Sequence, residues 1–409
     1  MTDPRTTALR GVRVIAVEEE GLPDSNSSVI ISAGRIADVT TQLPTVDRVI
    51  EGRGRFALPG LVNAHDHLYS KELRNPDPGM DIRAMRREID GRDVPETLVV
   101  MLANAWREMA EGVLVIRDLG ARHALNTHLA RIIDGGVVPG PVVVPAARPI
   151  VMTGGHVWTF GREADGPDDC RRAVREQKKA GAQVIKVMAS GGVSNYPHED
   201  YAVSEFTPPE LEAITSEARK LGLPTCAHAY GEEAVSAAVD ARIDGIEHGV
   251  RLDDGIIEKM VANQIAYVPT MANMQRIASV EMNAAAGVPE RAAVFQREIV
   301  EPHMRSVTAA LEAGVRVGIG TDSTGSYLEE IRALTRAGMG VEQVIRAATI
   351  EGARICRVDA GLIAPGRLAL MALYDEDPRR DVEVLVRPSA VLIGGRFFES
   401  ERLEGWAAR

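Results

Sequence analysis

The stretch Leu58-Pro59-Gly60-Leu61-Val62-Asn63-Ala64-His65-Asp66-His67 decides how the rest of the chain is read. Its apolar run reads as a buried strand. His65 and His67 are two residues apart, so on a strand both imidazoles point the same way. Four later residues each sit near the end of a short apolar run of their own. Lys186 lies in Val184-Ile185-Lys186-Val187-Met188, and His228 in Thr225-Cys226-Ala227-His228-Ala229. His248 ends Gly245-Ile246-Glu247-His248, and Asp322 ends Val317-Gly318-Ile319-Gly320-Thr321-Asp322. Potential ligands at successive strand ends describe a metal site at one mouth of a β/α barrel. That arrangement points to a hydrolase.

Working outward, eight strand candidates appear, at 58–65, 112–118, 142–152, 183–189, 224–229, 244–248, 265–270 and 315–321. Helical periodicity separates them. In the clearest case Thr207 caps the helix, Pro208 suits its first position and Glu210 completes a capping box. Leu211, Ile214, Ala218 and Leu221 follow at helical spacing, and Gly222 stops the helix. Similar units lie at 232–242, 254–263 and 341–355. Alternating strand and helix predicts a closed parallel sheet, a (β/α)8 TIM barrel. The polar stretch 70–95 predicts a long loop over the mouth. Its Arg83, Arg86, Arg87, Asp90, Arg92 and Asp93 read as surface ion pairs more readily than as a substrate clamp. Residues 9–57 and 366–398 carry short strand-like pieces that have no place in such a barrel.

Composition restricts the function. The chain has 409 residues, 45% of them hydrophobic and 26% charged, enough for a sizeable core. A formal net charge of −11 and a pI near 5.4 argue against a nucleic-acid partner. No apolar stretch is long enough to span a bilayer, and the start Met1-Thr2-Asp3-Pro4-Arg5 shows no leader pattern. Cys170, Cys226 and Cys356 are unpaired in spacing and read as reduced thiols. The expectation is a cytoplasmic protein with no membrane or nucleic-acid partner.

Six segments together resemble the amidohydrolase superfamily, and within it the binuclear-metal branch of Xaa-Pro dipeptidase-like (prolidase-like) enzymes. They are Pro59–His67, Thr153-Gly154-Gly155-His156, Lys186–Val193, Ala227-His228-Ala229-Tyr230-Gly231, Gly245–Gly249 and Gly320-Thr321-Asp322-Ser323. The resemblance implies that 1–57 and 359–409 pair into one small β-sandwich beside a barrel formed by 58–358. It implies two divalent ions, zinc by default. His65, His67 and Asp322 would hold one, and His228 and His248 the other. Carbamylated Lys186 would bridge them, since carbon dioxide removes the positive charge of the lysine and supplies two oxygens. A homo-oligomer and a small amide or dipeptide substrate, such as Xaa-Pro or an N-acyl amino acid, are also implied.

Such a donor set matches zinc chemistry, because imidazole nitrogen and carboxylate oxygen are its ligands. Two ions sharing a water generate hydroxide near neutral pH. Asp322 is then the candidate base and acid, taking the proton and delivering it to the departing nitrogen. Tyr230 and His156 are candidate substrate contacts. Glu247 is a candidate to orient His248, though strand alternation puts its side chain on the other face. His123, His128 and His303 read as surface or structural, and His198-Glu199-Asp200 as a solvated loop more readily than as pocket lining. Gly154-Gly155 and Gly191-Gly192 read as tight turns. A mononuclear cyclic deaminase or ring hydrolase shares the His-x-His pair but generally lacks the bridging lysine. A non-catalytic scaffold would be expected to have lost ligands, and here all six positions are filled.

Overall fold

Val62, Asn63 and Ala64 are completely buried because they form a strand at the centre of the molecule. The structure, a computed structural model, describes residues 6–74, 88–89, 91–193, 199–285 and 287–407. Five strands come first: β1 (Thr7–Ile15), β2 (Asp24–Ser32), β3 (Arg35–Thr40), β4 (Arg48–Glu51) and β5 (Phe56–Pro59). Next are β6 (Leu61–Asp66), β7 (Val113–Asp118), β8 (Val142–Pro145), β9 (Ile150–Val151), β10 (Arg162–Glu163), β11 (Ile185–Met188), β12 (Thr225–Ala229), β13 (Gly245–His248) and β14 (Ala266–Val268). The last three are β15 (Leu370–Tyr374), β16 (Ala390–Ile393) and β17 (Arg396–Glu399).

The central strands pair in parallel, β6 with β7 with β8, and β9 with β11, β12, β13 and β14 in turn. Two seams close them into a ring. At one, residues 315–321 lie between β14 and β6: Gly318 N donates to Tyr267 O at 3.0 Å, and Ala64 N donates to Ile319 O at 2.7 Å. At the other, Gln183 N donates to Pro145 O at 2.8 Å, and Ile150 registers with Val187. The strand expected at 142–152 is divided between β8 and β9, with Ala147 at φ 60° in the gap. The chain is thus a TIM barrel with a sheet unit beside it.

That unit is built from both chain ends. Its strand order is β17-β16-β15-β5-β1-β2-β3, with β4 beside β1. Strand alternation gives it two apolar faces. Leu9, Val29, Ile31, Met371, Leu373 and Leu392 form its own core, while Ile15, Phe56, Leu58, Ala372 and Tyr374 join the barrel core. The first barrel strand, expected at 58–65, divides at Gly60. Leu58 and Pro59 pair with Ala372 and Met371 of the terminal sheet, and the barrel strand begins at Leu61. The reason is steric as well as topological. A Cβ on Gly60 would lie 2.6 Å from the Leu114 Cβ, so only glycine lets the backbone cross between the two units here.

Outer helices follow their caps. In the helix Pro208–Lys220, Glu210 accepts from the Thr207 amide at 2.8 Å, and the helix buries Leu211, Ile214 and Ala218 on its inner face. Part of the expected loop 70–95 is helical among the described residues. Leu68–Arg74 is helical on both sides of a kink at Ser70, and a second helix begins at Val94 with Asp93 as its cap. Arg92 lies 3.9 Å from Glu88. Arg83, Arg86, Arg87 and Asp90 lie outside the described residues.

Candidate metal centre

β6, β11, β12, β13 and the closing segment 315–321 all end at one mouth of the barrel, and each delivers a buried polar side chain there. His65 and His67 lie on and just past β6, with ring centroids 5.4 Å apart. His248 sits 5.0 Å from His65 and 4.6 Å from His228, so the four imidazoles form a connected arc. Asp322 Oδ1 is 3.6 Å from His67 Nε2 and 3.9 Å from His65 Nε2. Ligand atoms of His65, His248 and Asp322 all fall within 4.8 Å of one another. The Lys186 Nζ is buried and has no hydrogen-bond partner among the described residues.

Electrostatics suit this cluster to ligation. Burial, reinforced by neighbouring positive charge, holds the His65, His228 and His248 pKa values well below the usual imidazole range. These rings are therefore neutral and present lone pairs. Burial alone would raise the Asp322 carboxyl. The neighbouring His65, His67 and Lys186, with the Ser323 amide, outweigh it and keep Asp322 ionised. Burial lowers Lys186, since a lone ammonium is costly to desolvate. The three thiols are free, and burial pushes each of them up to about 12, so they are poor ligands.

Three of the four rings, those of His65, His67 and His248, are held from behind, as ligating histidines usually are. His65 Nδ1 meets Glu247 Oε2 at 2.7 Å, and His67 Nδ1 meets the Gly120 carbonyl at 3.1 Å. His248 Nδ1 lies 2.7 Å from the Thr270 hydroxyl. Asn273 Nδ2 donates to Asp322 Oδ2 at 2.7 Å, and the Ser323 amide donates to Oδ1 at 2.7 Å. His248, Thr270 and Asp322 have φ of 69°, 53° and 52°. Left-handed backbone costs a non-glycine residue on the order of 1–2 kcal/mol, and three such residues meet at this one place. The turn at His248 explains how consecutive Glu247 and His248 both face the interior.

The amidohydrolase family's sequence model matches residues 56–397. The chain belongs to the amidohydrolase family. Ochratoxinase of Aspergillus niger is 27% identical over 432 aligned residues, covering 96% of this chain and 87% of that protein. Its solved structure superposes with a TM-score of 0.82 at 25% identity, over 97% of this chain and 96% of that one. An uncharacterised protein of Mycobacterium tuberculosis is 29% identical over 412 residues, 97% of each chain. A prolidase solved with N-methylphosphonate-L-proline is 26% identical, with a TM-score of 0.83, over 96% of this chain and 99% of that one. This amidohydrolase is a hydrolase of C–N bonds, prolidase-like in fold.

The remaining sequence-predicted residues fall around the same amidohydrolase mouth. Tyr230 stacks on His248 at 4.9 Å and 11°, and burial keeps its phenol protonated. His156 stacks on His228 at 4.6 Å. Glu199, read from sequence as solvated, instead accepts from the Gly192 amide at 2.8 Å and lies 2.6 Å from His156 Nδ1. The loop doubles back through a bridge between Ser190 and Ser204, which carries Glu199 inward. His198 lies outside the described residues.

Glu247 also differs from expectation, for it supports His65 across the barrel and not its neighbour His248. His303 is buried, with burial pushing it down to about 4, and it is structural. His123 and His128 are exposed. Sequence reasoning missed Arg117, Thr270 and Asn273. Arg117-Asp118 at the end of an apolar strand was a readable signal. Thr270 and Asn273 had none beyond following a strand. It also missed Lys71, buried 2.8 Å from Asp66 Oδ1 and 2.6 Å from the Thr321 hydroxyl, which ties the His65 strand to the Asp322 strand.

Proposed function

We propose that this chain is a metal-dependent amidohydrolase cleaving the amide bond of a small, carboxylate-bearing substrate such as an Xaa-Pro dipeptide or an N-acyl amino acid. The observation that carries the metal reading is Lys186. Its amine is buried among four imidazoles and a carboxylate, and among the described residues an ammonium there has no counter-charge in hydrogen-bond contact. A carbamate on that nitrogen turns the misfit into an anionic ligand. His65, His67 and Asp322 would hold one divalent ion, His228 and His248 a second, and modified Lys186 would join them. Zinc matches the nitrogen and oxygen donors. When bound, such a pair of ions supplies an acidified water and polarises the substrate carbonyl.

The chain's own residues do the rest. Asp322, fixed by Asn273 and Ser323, takes a proton from the water as its oxygen adds to the carbonyl carbon. It returns that proton to the nitrogen as the C–N bond breaks, leaving a carboxylic acid and an amine. Tyr230 donates a hydrogen bond to the carbonyl oxygen or to the substrate carboxylate. His156, held by Glu199, contacts the substrate beyond the scissile bond. The prolidase and ochratoxinase likenesses support the choice of substrate class.

Elemental analysis of protein prepared with zinc and bicarbonate tests the centre, followed by turnover of dipeptides, N-acyl amino acids and carbamates. About two ions per chain is expected. One ion would shift the reading to a mononuclear ring hydrolase or deaminase, and none would refute metal-dependent catalysis.

A further inference from the structure

Behind the proposed metal ligands, near the end of β7, lies a buried arginine that the reaction does not touch. Arg117 on β7 donates through Nη2 to Glu247 Oε1 at 2.6 Å and through Nε to the Ala64 carbonyl at 2.5 Å. Glu247 Oε2 then meets His65 Nδ1 at 2.7 Å. All three side chains are almost fully buried. We propose that Arg117 is a positioning residue which, through Glu247, fixes the ring orientation and proton position of His65.

The chemistry is directional. With Nδ1–H donated to Glu247, the His65 lone pair sits on Nε2, the atom facing Asp322. Arg117 occupies the other carboxylate oxygen, so Glu247 cannot rotate away from His65. The backbone shows why a side chain is needed here. The register between β6 and β7 shifts between Asn63 and Asp66, and the Arg117 guanidinium takes the carbonyl of Ala64, the residue immediately before His65. One fork thus anchors both the backbone and the ring of the same residue. A charge-neutralising pair would need only the Glu247 contact.

This inference rests on His65 being a metal ligand, so its test separates the two ideas. Zinc affinity is measured by chelator competition on the full chain, with thermal unfolding as a check of folding. The variants are Glu247→Gln, Arg117→Lys, His65→Ala and Arg117→Lys combined with His65→Ala. In Glu247→Gln, the amide must face either Arg117 or His65 with a donor against a donor. That variant should weaken one zinc ion by about 10- to 100-fold, and Arg117→Lys, lacking the fork, should weaken the same ion. In the His65→Ala background Arg117→Lys should cause no further loss, because its effect runs through the missing ring. Wild-type affinity in both Glu247→Gln and Arg117→Lys, with loss in His65→Ala, would overturn the positioning role. So would an equal loss from Arg117→Lys with and without His65, which marks an effect on the fold alone. If wild type takes up no zinc, or His65→Ala changes nothing, the metal-centre reading itself is refuted.

Discussion

Glu330 sits fully buried on the helix Tyr327–Arg336, accepting from the Ala272 amide at 2.6 Å. It thereby holds the segment that carries Thr270 and Asn273, the supports of His248 and Asp322. Burial pushes its pKa up to about 8 from the ordinary 4.5, against the pull of the Ala272, Met271 and Thr270 amides. The folded protein therefore binds a proton that the unfolded chain releases between pH 4.5 and about 8. Stability from this group is complete below pH 4.5, declines as pH rises to about 8, and is flat above. At about 1.36 kcal/mol per pH unit, the loss approaches about 5 kcal/mol. An unfolding entropy of about 2.1 cal/mol/K per residue over 409 residues is about 0.9 kcal/mol/K, so that loss equals about 5–6 °C in Tm. Glu330→Gln keeps an acceptor for Ala272 and cannot ionise. Differential scanning calorimetry of both proteins from pH 4.5 to 9 should show the variant gaining on wild type up to about pH 8, then running parallel. A Tm difference that does not change with pH would refute a buried neutral carboxyl at Glu330.

Three further outcomes are expected. Lys186→Ala should lose metal and turnover together, and short-chain carboxylic acids should restore part of both; wild-type metal content would remove Lys186 from the centre. Asp322→Asn should keep much of its metal yet lose about 10²- to 10⁴-fold in kcat, so a wild-type kcat would dismiss Asp322 as the base. Gly192→Ala places a Cβ 2.1 Å from His156 Cε1, forcing that ring off Glu199 and His228. The displacement should cost up to about 100-fold in kcat/KM, and unaltered kinetics would leave His156 without a substrate role.

The parts legible from sequence are those set by local periodicity. His65 and His67 share a strand face because alternation is a property of the backbone, and the capping of Pro208–Lys220 follows from four adjacent residues. Where reading failed, a distant contact had overridden the local rule. Local sequence offers Glu247 only its neighbour His248, on the opposite strand face by alternation, but the left-handed turn at His248 brings both inward, and His65 is the partner. Glu199 read as solvated because nothing near it in sequence reveals that its loop folds back onto Gly192. The first barrel strand was begun too early because the apolar run Ala57-Leu58-Pro59 fits either sheet, and only pairing with β15 decides between them.

By itself the sequence determined the barrel, the order of the candidate ligands and the class of chemistry, since short apolar runs ending in His, Lys and Asp allow few other arrangements. Only the tertiary structure decided which groups hold those ligands in place. Arg117, Thr270, Asn273 and Lys71 reach Glu247, His248, Asp322 and Thr321, from 22 to 250 residues away, through hydrogen bonds whose strength depends on distance and angle. Such geometry exists only once the ring of strands has closed.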